Sequence, residues 1–314
     1  MQSLYTFLFI VFAILAILIS LIIHEVGHFV FAKLFKVNVK EFSIGVGPKI
    51  YSKQFNRTKF SLRCLPIMAY VMIDSKKLVE LYSEIVKEDL EGIEKFKLEN
   101  ENKLTPYAFN KKLKKMMDEL KKHQEMANVD PSKLMIEDIS LWKQLIVYFG
   151  GVLFNLIFVG FFTLIIYFGI GKIISAVETQ YSVRLNLNPF SQLGAIFENL
   201  GKNMVFYNAW KPDGVAGSVG TIVGDGISFN KVNPTSEYLI YTIVNYFNVY
   251  NLVLFIINII PIPPLDGFKI VKGIVTYKNK IKINKKLESI FTYTGIGLIG
   301  YIFLTGIIAD VIGR

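Results

Sequence analysis

Residues 4–23, LYTFLFIVFAILAILISLII, run on without a single charged side chain. A helix needs about 20 apolar residues to cross the hydrocarbon core of a bilayer. Backbone in lipid must also satisfy its own hydrogen bonds, which leaves helices and closed barrels as the spanning forms. The run has no basic segment before it and no small-residue cleavage site after it, so it reads as a retained helix, not a secretory signal. Similar stretches at about Leu145–Ile170, Tyr238–Ile260 and Ile290–Ile312 bring the candidate spans to four. With 52% hydrophobic residues the chain is too apolar for a typical soluble protein of 314 residues. The expected fold class is therefore mainly α, a polytopic membrane protein of about four transmembrane helices.

The charge distribution suggests an orientation. Residues 33–63 and 269–286 are dense in lysine and arginine, whereas no basic residue precedes Lys33. By the positive-inside tendency both termini lie outside, while 33–140 and 268–288 lie inside. Cytoplasmic lysines facing anionic headgroups account for the net charge of +10, so no nucleic-acid partner is expected. Cys64 is the single cysteine; it can form no intrachain disulfide and reads as a strand or core thiol.

The first apolar run ends on HEVGH, residues 24–28. Ionisable groups in a span are costly and usually face a bundle interior or a wet cavity. On a helix, His24 and His28 fall at i and i+4, about 40° apart around the axis. Both imidazoles can then hold one Zn²⁺, with Glu25 near enough to act as general base. The plain alternative is a helix end at the interface, where polar residues are ordinary. A catalytic zinc usually takes three protein ligands and leaves the fourth position to water. His123 lies in the lysine-rich run KKLKKMMDELKKH (111–123) and reads as a surface histidine. Asp266, in NIIPIPPLDGFK (258–269), is the better third candidate. Pro261, Pro263 and Pro264 cannot continue a helix, and Asp266-Gly267 falls in the turn they open. The alternative there is a helix-ending turn with a solvated carboxylate.

With these residues the sequence resembles the site-2 protease type of intramembrane zinc metalloproteases, peptidase family M50. HEVGH matches the family's zinc motif, and NIIPIPPLDG (258–267) matches its second motif, whose Asp is the third ligand. EFSIGVGPKI (41–50) followed by TKFSLRCLPIMAYVMI (58–73) looks like the membrane-associated β-hairpin, with FSLRCL and AYVMI as candidate strands. FGGVLFNLIF (149–158) resembles the Gly-Pro-x-x-Asn element, with Val152 where proline is common. GVAGSVGTI (214–222) looks like the segment before the third helix.

The resemblance implies one Zn²⁺ per chain on His24, His28 and Asp266, with Glu25 as the base. It implies hydrolysis within transmembrane segments of single-span proteins, or of signal-peptide remnants. Asn155 is then near the active site and hydrogen-bonds the substrate backbone; an interhelical hydrogen bond is the alternative, and Asn258 carries the same ambiguity. A strand edge at Pro66, Ile67, Met68, Ala69 and Tyr70 would bind the unwound substrate, although the family often has Gly-Gly after that proline. The implied partners are a membrane-embedded protein substrate and the lipid bilayer, and the implied location is a bacterial plasma membrane. Residues 171–235 are too few for the PDZ domains that many bacterial relatives carry, so a form without one is expected. An inactive receptor or scaffold of the same fold is the rival reading; such a protein would be expected to lose Glu25 or a ligand. A metal transporter would repeat ionisable residues along several helices.

The expected parts are 1–73, the first helix and hairpin; 74–140, a cytoplasmic helical insertion; 141–177, the second helix; 178–235, an extracytoplasmic loop; and 236–314, the third and fourth helices. In the insertion, Leu78, Leu81, Tyr82, Ile85 and Val86 suggest amphipathic helices. Thr105-Pro106 and Asp130-Pro131 each read as an N-cap followed by proline at N1. The insertion either binds an unknown cytoplasmic partner or is a plain solvated hairpin. Phe190, Leu193, Ile196 and Phe197 suit an interfacial helix with Trp210 as an anchor.

Overall fold

Helix α1 (Gln2–Leu34) carries the apolar run unbroken through HEVGH over 33 residues, roughly 50 Å at 1.5 Å per residue. In this computed structural model the described residues are 2–100, 103, 105–128, 133–165, 168, 236–279, 289–297 and 301. Lys36 stops α1 by taking a left-handed φ of 61°. The Val37 amide then donates to the Ala32 carbonyl and the Lys36 amide to Lys33, the paired bonds of a Schellman cap.

Strands β1 (Val39–Phe55) and β2 (Thr58–Ile73) form a two-stranded sheet. Asn56 and Arg57 both adopt positive φ, 43° and 67°, as a two-residue hairpin turn requires if its twist is to match the strands. FSLRCL and AYVMI, read from sequence as two strands, are the two halves of β2. Pro66 does not interrupt it, because a two-stranded sheet has only edges, where a missing N–H is tolerated.

Helices α2 (Lys76–Asn100), α3 (Pro106–Ala127), α4 (Leu141–Leu164), α5 (Ser236–Ile259) and α6 (Asp266–Asn279) follow, with a 3-10 turn at Ile136–Asp138. Residues 289–297 are also helical. Among the described residues two helices contain stretches long and apolar enough to cross a membrane, Ile14–Leu34 and Leu141–Leu164, and α5 adds a shorter apolar stretch, Tyr246–Ile259. Most of the expected fourth span lies outside the described residues. So do Asp130-Pro131, GVAGSVGTI and the expected interfacial helix with Trp210.

The chain divides into two compact units. One contains the described residues up to His28, Pro66–Ala69, and the described residues from Leu145 onward. Here Ser20, His24, Gly27 and His28 form one stripe of α1, at i, i+4, i+7 and i+8. A Cβ on Gly27 would overlap the Gly150 carbonyl, so α1 and α4 meet backbone to backbone, as small residues permit. Asn251 Nδ2 of α5 donates to Ser20 Oγ at 2.9 Å, and Asn248 Nδ2 donates to Thr163 Oγ1 at 3.3 Å. Val159, Leu252 and Ile256 form a small apolar core beside these polar ties.

The other unit holds Phe29–Leu65 and Tyr70–Gln144. Its helical insertion is an antiparallel pair: Phe96 stacks on Phe109 at 5.3 Å and Tyr82 packs on His123 at 5.9 Å. Thr105 caps α3 by accepting from the Ala108 amide, with Pro106 in the first turn, as its sequence foretold. Buried Asp74 gathers the base of the unit. Asn38 Nδ2 donates to its carboxylate at 2.5 Å, Lys40 pairs with it at 3.0 Å, and the Ile136 amide donates to its carbonyl at 2.9 Å.

Candidate metal centre

The prolines end α5 as expected. The chain leaves the helix at Ile259 and turns through residues 260–265, and α6 begins at Asp266. A Cβ on Gly267 would overlap the Ile259 carbonyl, so glycine lets α6 start hard against the end of α5. A carboxylate in the first turn of a helix is favoured by the partial positive charge of the unpaired amides there.

Asp266 Oδ2 lies 2.9 Å from His24 Nε2 and 2.9 Å from His28 Nε2, and the two nitrogens are 3.3 Å apart. All three residues are buried. His28 Nδ1 lies 2.8 Å from the Val147 carbonyl oxygen, which can only accept, so that nitrogen carries a proton. In the neutral ring Nε2 is then a lone pair facing a carboxylate oxygen, an approach that a cation between them makes favourable. Zinc bonds of about 2.0–2.1 Å in tetrahedral array separate ligand atoms by roughly 3.3 Å. The three atoms already stand near that triangle, and His24, His28 and Asp266 form a group able to hold a metal ion.

The surroundings hold the triangle in place. Lys269, three residues after Asp266 on the same helix face, donates to Asp266 Oδ1 at 2.8 Å and leaves Oδ2 to the histidines. Asn155 Nδ2 donates to His24 Nδ1 at 3.0 Å. A Cβ on Gly151 would stand 2.5 Å from His28 Nε2 and 2.7 Å from His24 Nε2, so both imidazoles lie on bare backbone. Val147, Gly151 and Asn155 are spaced four apart and make one stripe of α4. Glu25, beside the first histidine, is half-buried.

Other residues singled out from sequence are placed as follows. Pro66 and Met68 are exposed on β2, Ala69 is buried, and the Ile67 side chain lies outside the described ones. The Tyr70 hydroxyl accepts from Arg63 Nη2 at 2.8 Å. Pro66–Ala69 belong to the same compact unit as the three-residue group, and Tyr70 to the other. Asn258 Nδ2 donates to the Leu254 carbonyl of its own helix. His123 pairs with Asp89 at 2.7 Å within the insertion, and Cys64 is a free thiol exposed on β2. Sequence reasoning overlooked Gly151 and Lys269. Their signals were present, a glycine four residues before Asn155 and a lysine three after Asp266.

The sequence profile of peptidase family M50 matches residues 12–302, nearly the whole chain. The chain belongs to peptidase family M50. Among the curated relatives of this M50 chain is a Borreliella burgdorferi protein provisionally named a zinc metalloprotease. It is 31% identical over 151 residues, 48% of this chain and 26% of the relative. Provisionally so named as well are a Fusobacterium nucleatum protein, 46% identical over 76 residues (24% of this chain, 22% of the relative), and a Clostridium acetobutylicum protein, 52% identical over 66 residues (21% and 20%). The chain thus matches about a quarter or less of the length of each of these relatives.

Proposed function

We propose that the chain is a zinc metalloendopeptidase that cleaves membrane-embedded segments of single-span proteins or signal-peptide remnants. The observation that carries this reading is the meeting of His24, His28 and Asp266 at 2.9–3.3 Å, from helices far apart in sequence. Their donor set, two imidazoles and one carboxylate, suits a single zinc with one position left for water. Bound there, Zn²⁺ supplies a Lewis acid that polarises the scissile carbonyl and lowers the pKa of water toward about 7.

The chain's own residues do the rest. Glu25 takes a proton from the attacking water and passes it to the leaving amine nitrogen. Lys269 and the Val147 carbonyl orient Asp266 and His28, and so hold these two groups where they would bind a metal. A helical substrate hides its amides, so it must unwind first; the open edge of β2 from Pro66 to Tyr70 offers backbone for the unwound strand to pair with. The lysine-rich segments support a reading in which this chemistry lies toward the cytoplasmic face of a bacterial plasma membrane, with both termini outside.

The test is co-expression of the chain with single-span candidate substrates, comparing wild type with Glu25→Gln. The variant is expected to leave substrates uncut while still purifying with stoichiometric zinc. Undiminished cleavage by Glu25→Gln would remove the proposed base, and zinc retained by both His24→Ala and Asp266→Ala would remove the ligand set.

A further inference from the structure

Asn155 is fully buried in α4, with one end of its amide on His24. Nδ2 stands 3.0 Å from His24 Nδ1, while Oδ1 finds no hydrogen-bond partner among the described residues. A buried carbonyl oxygen without a donor is a costly arrangement, and native structures contain few of them.

The chemistry of the ring explains it. A neutral imidazole holds one proton, on Nδ1 or on Nε2. With Nδ2–H donated to Nδ1, the proton is driven to Nε2, where it points at Asp266 Oδ2, 2.9 Å away. A metal on Nε2 requires the opposite tautomer, with the proton on Nδ1 and an acceptor facing it. The asparagine amide is nearly the same shape at both ends. A half turn about its last side-chain bond brings the orphaned Oδ1 to Nδ1–H and frees the Nε2 lone pair.

We propose that Asn155 is a positioning residue that selects the metal-binding tautomer of His24 by turning its amide. The oxygen accepts from Nδ1–H when a divalent cation occupies the three-residue group, and the NH₂ donates to Nδ1 when a proton stands in the cation's place. His28 needs no such device, because the Val147 carbonyl fixes its Nδ1 proton permanently. The two histidines of one motif are therefore held differently, one by a fixed acceptor and one by a reversible one. This inference rests on the metal-centre reading above.

The test is zinc competition against a chromophoric chelator, with purified wild type, Asn155→Asp and Asn155→Leu. Aspartate keeps an acceptor for Nδ1–H but cannot donate; leucine keeps the volume and offers neither. Asn155→Asp is expected to bind zinc within about tenfold of wild type, and Asn155→Leu to lose about 10–100-fold, with an altered Co²⁺ absorption spectrum. Wild-type affinity in Asn155→Leu, or an equal loss in both variants, overturns the inference. Should Asn155→Leu not fold, ¹⁵N-histidine NMR of the wild type without and with zinc decides. The His24 proton is expected on Nε2 in the metal-free protein and on Nδ1 in the zinc-loaded one, and the same tautomer in both overturns the proposal. A wild type that binds no zinc, and is indistinguishable from Asp266→Ala, overturns the metal centre itself. That result differs from failure of the Asn155 role, in which wild type binds zinc normally.

Discussion

Two imidazoles can share one ion here because Gly151 has no side chain. A methyl group at that position would stand 2.5–2.7 Å from atoms of both His24 and His28. The atoms it would meet belong to the two rings and not to backbone, so the strain falls on the ring positions and not on the helices. Gly151→Ala is therefore expected to leave the thermal melt nearly unchanged while weakening zinc binding by about tenfold or more, the scale of disturbed metal surroundings. Chelator competition beside a circular-dichroism melt checks this. Wild-type zinc affinity in the variant would show that the rings do not rest on that backbone. The HEVGH spacing alone made the two histidines readable as a pair, because i and i+4 share a helix face in any helix. Gly151 could not be read that way, since it matters only through the way α4 crosses α1.

Among the elements, the β-hairpin holds a buried acid. Glu41 is almost fully buried on β1, with Arg63 Nη2 of β2 3.0 Å from its carboxylate and Lys49 at 3.5 Å. Burial pushes its acidity toward the neutral form, but the Ser61 hydroxyl, Lys49 and Arg63 together outweigh that and hold it below the ordinary carboxylate value of 4.5. The unfolded chain takes up the proton at a higher pH than the folded hairpin does. Stability from this group is therefore present above about pH 4.5 and is lost as pH falls through the folded value. Denaturant unfolding between pH 6 and pH 3 should show a fall in stability that Glu41→Gln reduces. An equally steep fall in that variant would assign the acid sensitivity to other groups. Polar ties also join the helices, as in the Ser20–Asn251 bond at 2.9 Å. Such a bond satisfies amide groups that lipid cannot solvate.

For the whole molecule, the proposed orientation can be read from one native atom. Cys64 is the chain's single cysteine and is exposed on β2. If residues 33–140 face the cytoplasm, a membrane-impermeant maleimide should label Cys64 in inverted vesicles and not in intact cells. Labelling in intact cells would reverse the proposed orientation and, with it, the side from which water and substrate would reach the proposed metal centre. The division into two compact units was not evident in the expected five-part layout. The boundary runs through α1 itself, between His28 and Phe29, and it takes Pro66–Ala69 out of the middle of a strand. A linear reading assigns neighbours along the chain to one part, whereas packing sorts them by which side chains meet.

Sequence by itself determined the long apolar α1 with its histidine pair, the proline-broken end of α5 that opens onto Asp266, and the capped start of α3. Each of these follows from local rules: the length of an apolar run, helical spacing, proline's missing donor, and N-cap chemistry. Only the tertiary structure decided that Asp266 Oδ2 reaches both imidazoles, that Lys269 holds its other oxygen, and that Asn155 faces His24 with one end unpaired among the described residues. Those facts depend on how closely α1, α4 and α6 approach. Two bare glycine surfaces and a few buried hydrogen bonds set that closeness, and no spacing along a single segment encodes it.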